Sequence, residues 1–189
     1  MLMNLWKKHY LLPALLILAG LTISCGEMNK ANRLVEGGNA AAKEGEKFAE
    51  EAMSKIDELE GNLNDFPSNR EQLKGAAQET LATLDKSIAK LREASAKFSE
   101  GSAAKIDAPL KEYLSLKSQE FSKHAEHMET WKEIPNAILD TSIEDRPALN
   151  AKFAQLKERL EQLHQDWTDL GARAEKIKEE NKNKFQNGN

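Results

Sequence analysis

The sequence predicts an all-α protein, an elongated antiparallel up-down four-helix bundle lying behind a short apolar N-terminal segment. Four long stretches place apolar residues at steps of three and four, the spacing that lines one face of a helix. Charged residues make up 31% of 189 residues, and glycine (10) and proline (5) are too few to punctuate a sheet-rich chain. No run alternates apolar and polar residues between turn signals, so no strand is expected.

The first helix is expected over residues 29–63, with Leu34, Gly38, Ala41, Gly45, Phe48, Ala52, Ile56, Leu59 and Leu63 along one side. The early part of this stripe is small. Gly37, Gly38 and Gly45 each cost about 1 kcal/mol relative to alanine in a helix, which close packing against a neighbour would offset. The other reading makes this segment a loose tether and leaves a three-helix bundle with the first helix detached. Gly61-Asn62 and Asp65-Phe66-Pro67 end the pattern.

Ser68-Asn69-Arg70-Glu71 has the spacing of a capping box, opening a second helix to about Phe98 through Leu73, Ala77, Thr80, Leu81, Leu84, Ile88, Leu91, Ser95 and Phe98. A third helix starts at Asp107 as N-cap, with Pro109 in its first turn. Leu110, Leu114, Lys117, Phe121, His124, Met128 and Trp131 form its stripe, and Pro135 is expected to stop it. The connector over 134–147 carries Ile134, Ile138, Leu139 and Ile143, and should cover one end of the core as a short helical turn. The fourth helix, 145–185, holds a heptad seam of Leu149, Phe153, Leu156, Leu160, Leu163, Trp167, Leu170, Ala174 and Ile177. Apolar residues thin out after Glu179, so fraying is expected there, with a disordered tail over 186–189.

Ahead of the bundle, Lys7 and Lys8 precede an apolar run of about 13 residues that ends at Cys25, the one cysteine in the chain. Charge, then apolar core, then small residues is the order of an export signal, and the run falls short of the roughly 20 residues a membrane-spanning helix needs. Residues 1–24 are thus expected to be a signal peptide and 25–185 the bundle domain. Leu21-Thr22-Ile23-Ser24-Cys25 resembles the lipobox of bacterial lipoproteins. The resemblance covers the signal alone and departs from the commonest form at Thr22 and at the bulky Ile23. It implies that Cys25 is the lipid-attachment residue and the mature N-terminus, so that the membrane is reached through a lipid anchor. Gly26 stands where an aspartate marks inner-membrane retention in some bacteria, which implies the periplasmic face of the outer membrane within the cell envelope. Ordinary cleavage near Ser24 is the other reading, giving a soluble exported protein with a free thiol.

The formal charge is −4, and removing the +2 of Lys7 and Lys8 leaves −6 on the remainder, which lacks the basic footprint that nucleic acid requires. One cysteine permits no internal disulfide. Glu120, His124 and His127 share one side of the third helix, and Glu161-Gln162-Leu163-His164 has the Glu-x-x-His spacing of di-metal bundles. The second such element is missing, so no metal or other cofactor is expected. His124 and Lys117 should be polar residues near the core, His127 and His164 solvated, and Trp131 and Trp167 core aromatics. No carboxylate is expected to sit where burial would raise its pKa, and no phosphate-binding loop, nucleophile elbow or paired-cysteine motif occurs.

The function expected from these residues is a non-enzymatic envelope lipoprotein, whose helical domain binds, spaces or scaffolds an envelope protein partner. Two other expectations stand beside it: a soluble periplasmic metal or small-ligand carrier, and a coiled coil that self-associates through an open seam.

Overall fold

The computed structural model describes residues 25–186. The export signal expected over 1–24, and the tail over 187–189, lie outside the described residues. The described residues form four long α-helices and two short ones, with a 3-10 turn over Leu63–Asp65: α1 (Cys25–Gly61), α2 (Arg70–Ser102), α3 (Ala108–Trp131), α4 (Glu133–Leu139), α5 (Arg146–Glu180) and α6 (Lys182–Gln186). No strand occurs among the described residues. The chain is an all-α helical bundle.

Each long helix runs antiparallel to the one before it. Lys30 meets Glu100 and Lys55 meets Glu79 across α1 and α2. Ser95 meets Ser118, and Arg92 meets Glu129, across α2 and α3. His124 meets Trp167 across α3 and α5. The main interfaces join α1 to α2, α2 to α3 and α3 to α5, and α1 forms no comparable interface with α5. Helices α2 and α3 are thus each packed on both sides, and α3 buries Tyr113, Leu116, Glu120 and His127 in addition to its expected stripe.

Helix α1 is not detached. Alanines 31, 41, 42, 49 and 52 are buried with Val35 and Ile56, and a Cβ built on Gly45 would stand 2.9 Å from Leu91 Cγ and 3.1 Å from the Leu91 amide nitrogen. Only a residue without a Cβ allows that approach. The Ser87 hydroxyl donates to the Gly45 carbonyl at 2.9 Å across the same contact. Phe48, expected in the stripe, is half-buried instead, with Lys86 Nζ 5.7 Å from its ring centroid.

The expected capping box does not form. Ser68 turns back to donate to the Asp65 carbonyl, Asn69 donates to the Asn62 carbonyl at 2.6 Å, and neither side chain caps α2. The loop, with a cis Phe66–Pro67 bond, is fastened to the far connector by Arg70 donating to Ile143 O and Arg146 donating to Leu63 O. Asp145 does cap α5, accepting from the Ala148 amide at 2.8 Å. Pro135 does not end α3; the chain bends at Lys132 and Pro135 lies buried in the first turn of α4, where an amide would have no helical partner. Nor does the C-terminal end simply fray: α6 follows α5, and Phe185, 2% exposed, packs edge-on against Tyr113 with ring centroids 5.4 Å apart.

Candidate functional site

The polar groups that α3 carries inward fall into two layers facing α5. In the first, Lys117 Nζ lies 2.7 Å from Glu120 Oε2, and the two side chains are only 7% and 8% exposed. A three-residue step on one helix makes this pairing local. The ammonium also lies 4.7 Å from the Phe121 ring centroid, and Phe121 stacks on Phe98 of α2. Gly171 of α5 permits the approach, since a Cβ there would stand 3.1 Å from the Glu120 carboxyl carbon. Burial raises the Glu120 carboxyl above its ordinary value, opposed by Lys117 and reinforced by Glu175 of α5. Glu46 of α1 is raised in the same way, chiefly by burial, with Lys117 opposing. Tyr113, buried beside Glu175 and Glu120, has its phenol pushed up. The expectation that no carboxylate is raised by burial is therefore wrong, because it considered each helix alone and not what its neighbours cover.

The second layer is aromatic. His124 stacks on Trp167 with ring centroids 4.4 Å apart and planes 8° from parallel. His127 accepts the Trp131 indole N–H at 3.2 Å through Nε2. His164 stands edge-on to Trp167 at 5.3 Å and 5.8 Å from His127. Burial pushes His124 down to about 3, with His164 adding to the shift, and holds His127 well below its ordinary value.

His124, Lys117 and Trp131 thus lie in the core as expected, whereas Trp167, expected there too, is half-buried against His124 because α5 is covered on one side only. His127, expected to be solvated, is 2% exposed, and His164 is half-buried. They are covered because α3 and α5 face each other on that side. Glu161 does not join His164; it is exposed, 3.6 Å from Lys157. Among the described residues no three His, Cys, Asp or Glu side chains are placed to hold a metal ion. Cys25 is the first residue of α1.

One signal could have revealed the α3 part of the site. Lys117, Glu120, His124, His127 and Trp131 step by three and four, a second stripe beside the apolar one. Glu46 carries no such mark, because its place depends on how α1 lies over α3.

Fold and site together define an all-α bundle with a buried ionic and aromatic seam between its third and fourth long helices. No protein-family model, no curated protein and no solved structure matches this chain.

Proposed function

We propose that this protein is an envelope lipoprotein, tethered through lipid on Cys25 to the periplasmic face of the outer membrane. Its bundle serves there as a non-catalytic binding, spacer or scaffold module for another envelope protein. The observation that carries the reading is Leu21-Thr22-Ile23-Ser24-Cys25, ending at the one cysteine after Lys7, Lys8 and an apolar run. Each buried methylene contributes about 0.8 kcal/mol, so two or three acyl chains hold a protein where one binds reversibly.

The helical body suits such a tether. Helix α1 begins at Cys25, and Ala31, buried in the core, follows less than two turns along it. The 33 residues of α2 span about 50 Å, which gives the rod its reach. No helix among the described residues is long and apolar enough to cross a membrane.

Intact-mass analysis of protein extracted from host membranes tests the tether. The wild type should carry acyl mass beyond the polypeptide that starts at Cys25, and Cys25→Ser should carry none. Masses that differ only by the substitution would remove the lipid. Capture with the tethered protein in its own host then identifies the partner.

A further inference from the structure

The two ends of the rod differ in charge. Because the long helices alternate in direction, residues 25–35, 97–112 and 173–186 share the end that holds Cys25, and they carry ten bases against seven acids. Residues 57–73 and 132–152 share the opposite end, with nine acids against four bases. Those four bases are already engaged. Arg70 and Arg146 donate to Ile143 O and Leu63 O within that end, Lys132 lies 2.8 Å from Asp85, and Lys152 lies 3.5 Å from Glu133. Seven of the nine acids are exposed, so the surplus negative charge is presented to whatever approaches.

A groove starts at this end and follows α5. Its first part, a cleft of about 540 Å³ between α4 and the start of α5, is lined by Ala137, Ile143, Ala148 and Ala151 among others. A second cleft, of about 410 Å³ between α3 and α5, reaches Gln162 and Leu163, and Gln155 lines both. From Ala148 to Leu163 the pair covers about 22 Å of α5. Four acids, Glu126, Glu133, Asp140 and Glu158, line it as well. Two cations, Lys152 and Arg159, stand against them, and both turn to Glu133.

We infer that this groove is the partner-binding surface of the bundle, and that its occupant is a basic amphipathic helix of about 15 residues carried by another protein. The inference rests on the reading of the bundle as a binding module and supplies the chemistry of its partner. Apolar residues at steps of three and four on such a helix cover Ile143, Ala148 and Ala151, while lysines and arginines on its flanks meet Glu126, Glu133, Asp140 and Glu158. Exposed alanines let the occupant lie close to α5.

Charge selects among the occupants. An acidic helix would meet like charge along the groove, whereas a basic one gains at each carboxylate. Asp140 keeps its charge for that purpose, because hydrogen bonds from the Ser142 hydroxyl and amide hold its carboxyl below the ordinary range. A lipid surface is a poor fit, since the groove opens at the end opposite Cys25, about 50 Å away along α2. So is a second copy: this chain's own basic stretch, 173–186, lies at the Cys25 end, which the tether holds at the bilayer.

Fluorescence anisotropy on the full chain in nonionic detergent tests the groove, using a labelled synthetic peptide of lysine and leucine at helical spacing and a counterpart with glutamate for lysine. The lysine peptide should bind saturably, and the glutamate peptide about tenfold or more weakly. Ala151→Arg fills the groove with bulk and positive charge at an exposed position, and should weaken the lysine peptide by about tenfold or more. Ala82→Arg makes the same change on the exposed side of α2 and should leave binding within about twofold. Equal loss in both variants, no loss in Ala151→Arg, or equal binding of the two peptides would overturn the proposal. So would a dimer, seen by sedimentation, that Ala151→Arg dissolves, since the groove would then belong to a second copy. Intact mass of the same preparation separates this reading from the tether: a chain without acyl mass that still binds the lysine peptide keeps the groove and loses the lipid, and an acylated chain that fails to bind does the reverse.

Discussion

Between α1 and α2 the backbones nearly touch, and the contact consists of Gly38 and Gly45 against Phe98 and Leu91, flanked by buried alanines. Between α3 and α5 the contact is made by large rings and a buried ion pair, with Trp167, Leu170 and Ile177 only half-buried. Both helix pairs are antiparallel and long, so the difference is one of chemistry. Close-packed small residues gain dispersion contacts at every turn and contain little that responds to solvent conditions. A seam of imidazoles and carboxyls is held by groups whose charge depends on pH. One end of the helix order is packed by small residues and the other by rings and titratable groups.

The largest effect should come from breaking the ion pair. Lys117→Met leaves Glu120 buried without its cation and is expected to cost about 3 kcal/mol at pH 7 in urea unfolding. Because burial already raises Glu120, a proton can replace the missing cation, so the deficit of Lys117→Met should shrink toward pH 5. Replacing both members, Lys117→Met with Glu120→Leu, should recover most of the loss. If the single variant unfolds at the wild-type urea midpoint, the pair is not buried as described.

The contact between α1 and α2 is probed by one substitution at two glycines. At Gly45 an alanine methyl would meet Leu91 at 2.9 Å, and overpacking outweighs helix propensity, for a net loss of about 1 to 2 kcal/mol. At Gly75 in α2 nothing lies within 4 Å, so Gly75→Ala should gain up to about 1 kcal/mol. Equal signs for the two, measured by thermal and urea unfolding, would contradict the close approach. The smallest effect belongs to the surface: Lys157→Ala, which removes the exposed pair with Glu161, should change stability by no more than about 0.5 kcal/mol.

Much of this architecture was legible in residue spacing. Apolar steps of three and four located all four long helices, and Asp145, Gly61-Asn62 and the glycines of α1 behaved as their chemistry predicts. The capping box misled because Ser68 found a nearer acceptor, the Asp65 carbonyl, within its own loop. The candidate site was half legible. Lys117 and His124 fell on the stripe, but His127 looked solvated because one helix with one apolar face was assumed, whereas α3 packs on two. The tie between Phe185 and Tyr113 was hidden for a related reason: the apolar partner lies on another helix, and no periodicity within the tail reports it.

Amide hydrogen exchange of the wild-type chain, followed helix by helix at a single neutral pH, tests most directly whether the two interfaces differ in kind. Small-residue packing in α1 and α2 should give protection near that of global unfolding, with α5 opening at a lower free energy before the rest. Protection in α5 equal to or above that of α1 and α2 would contradict the division of the bundle into a close-packed half and a looser one.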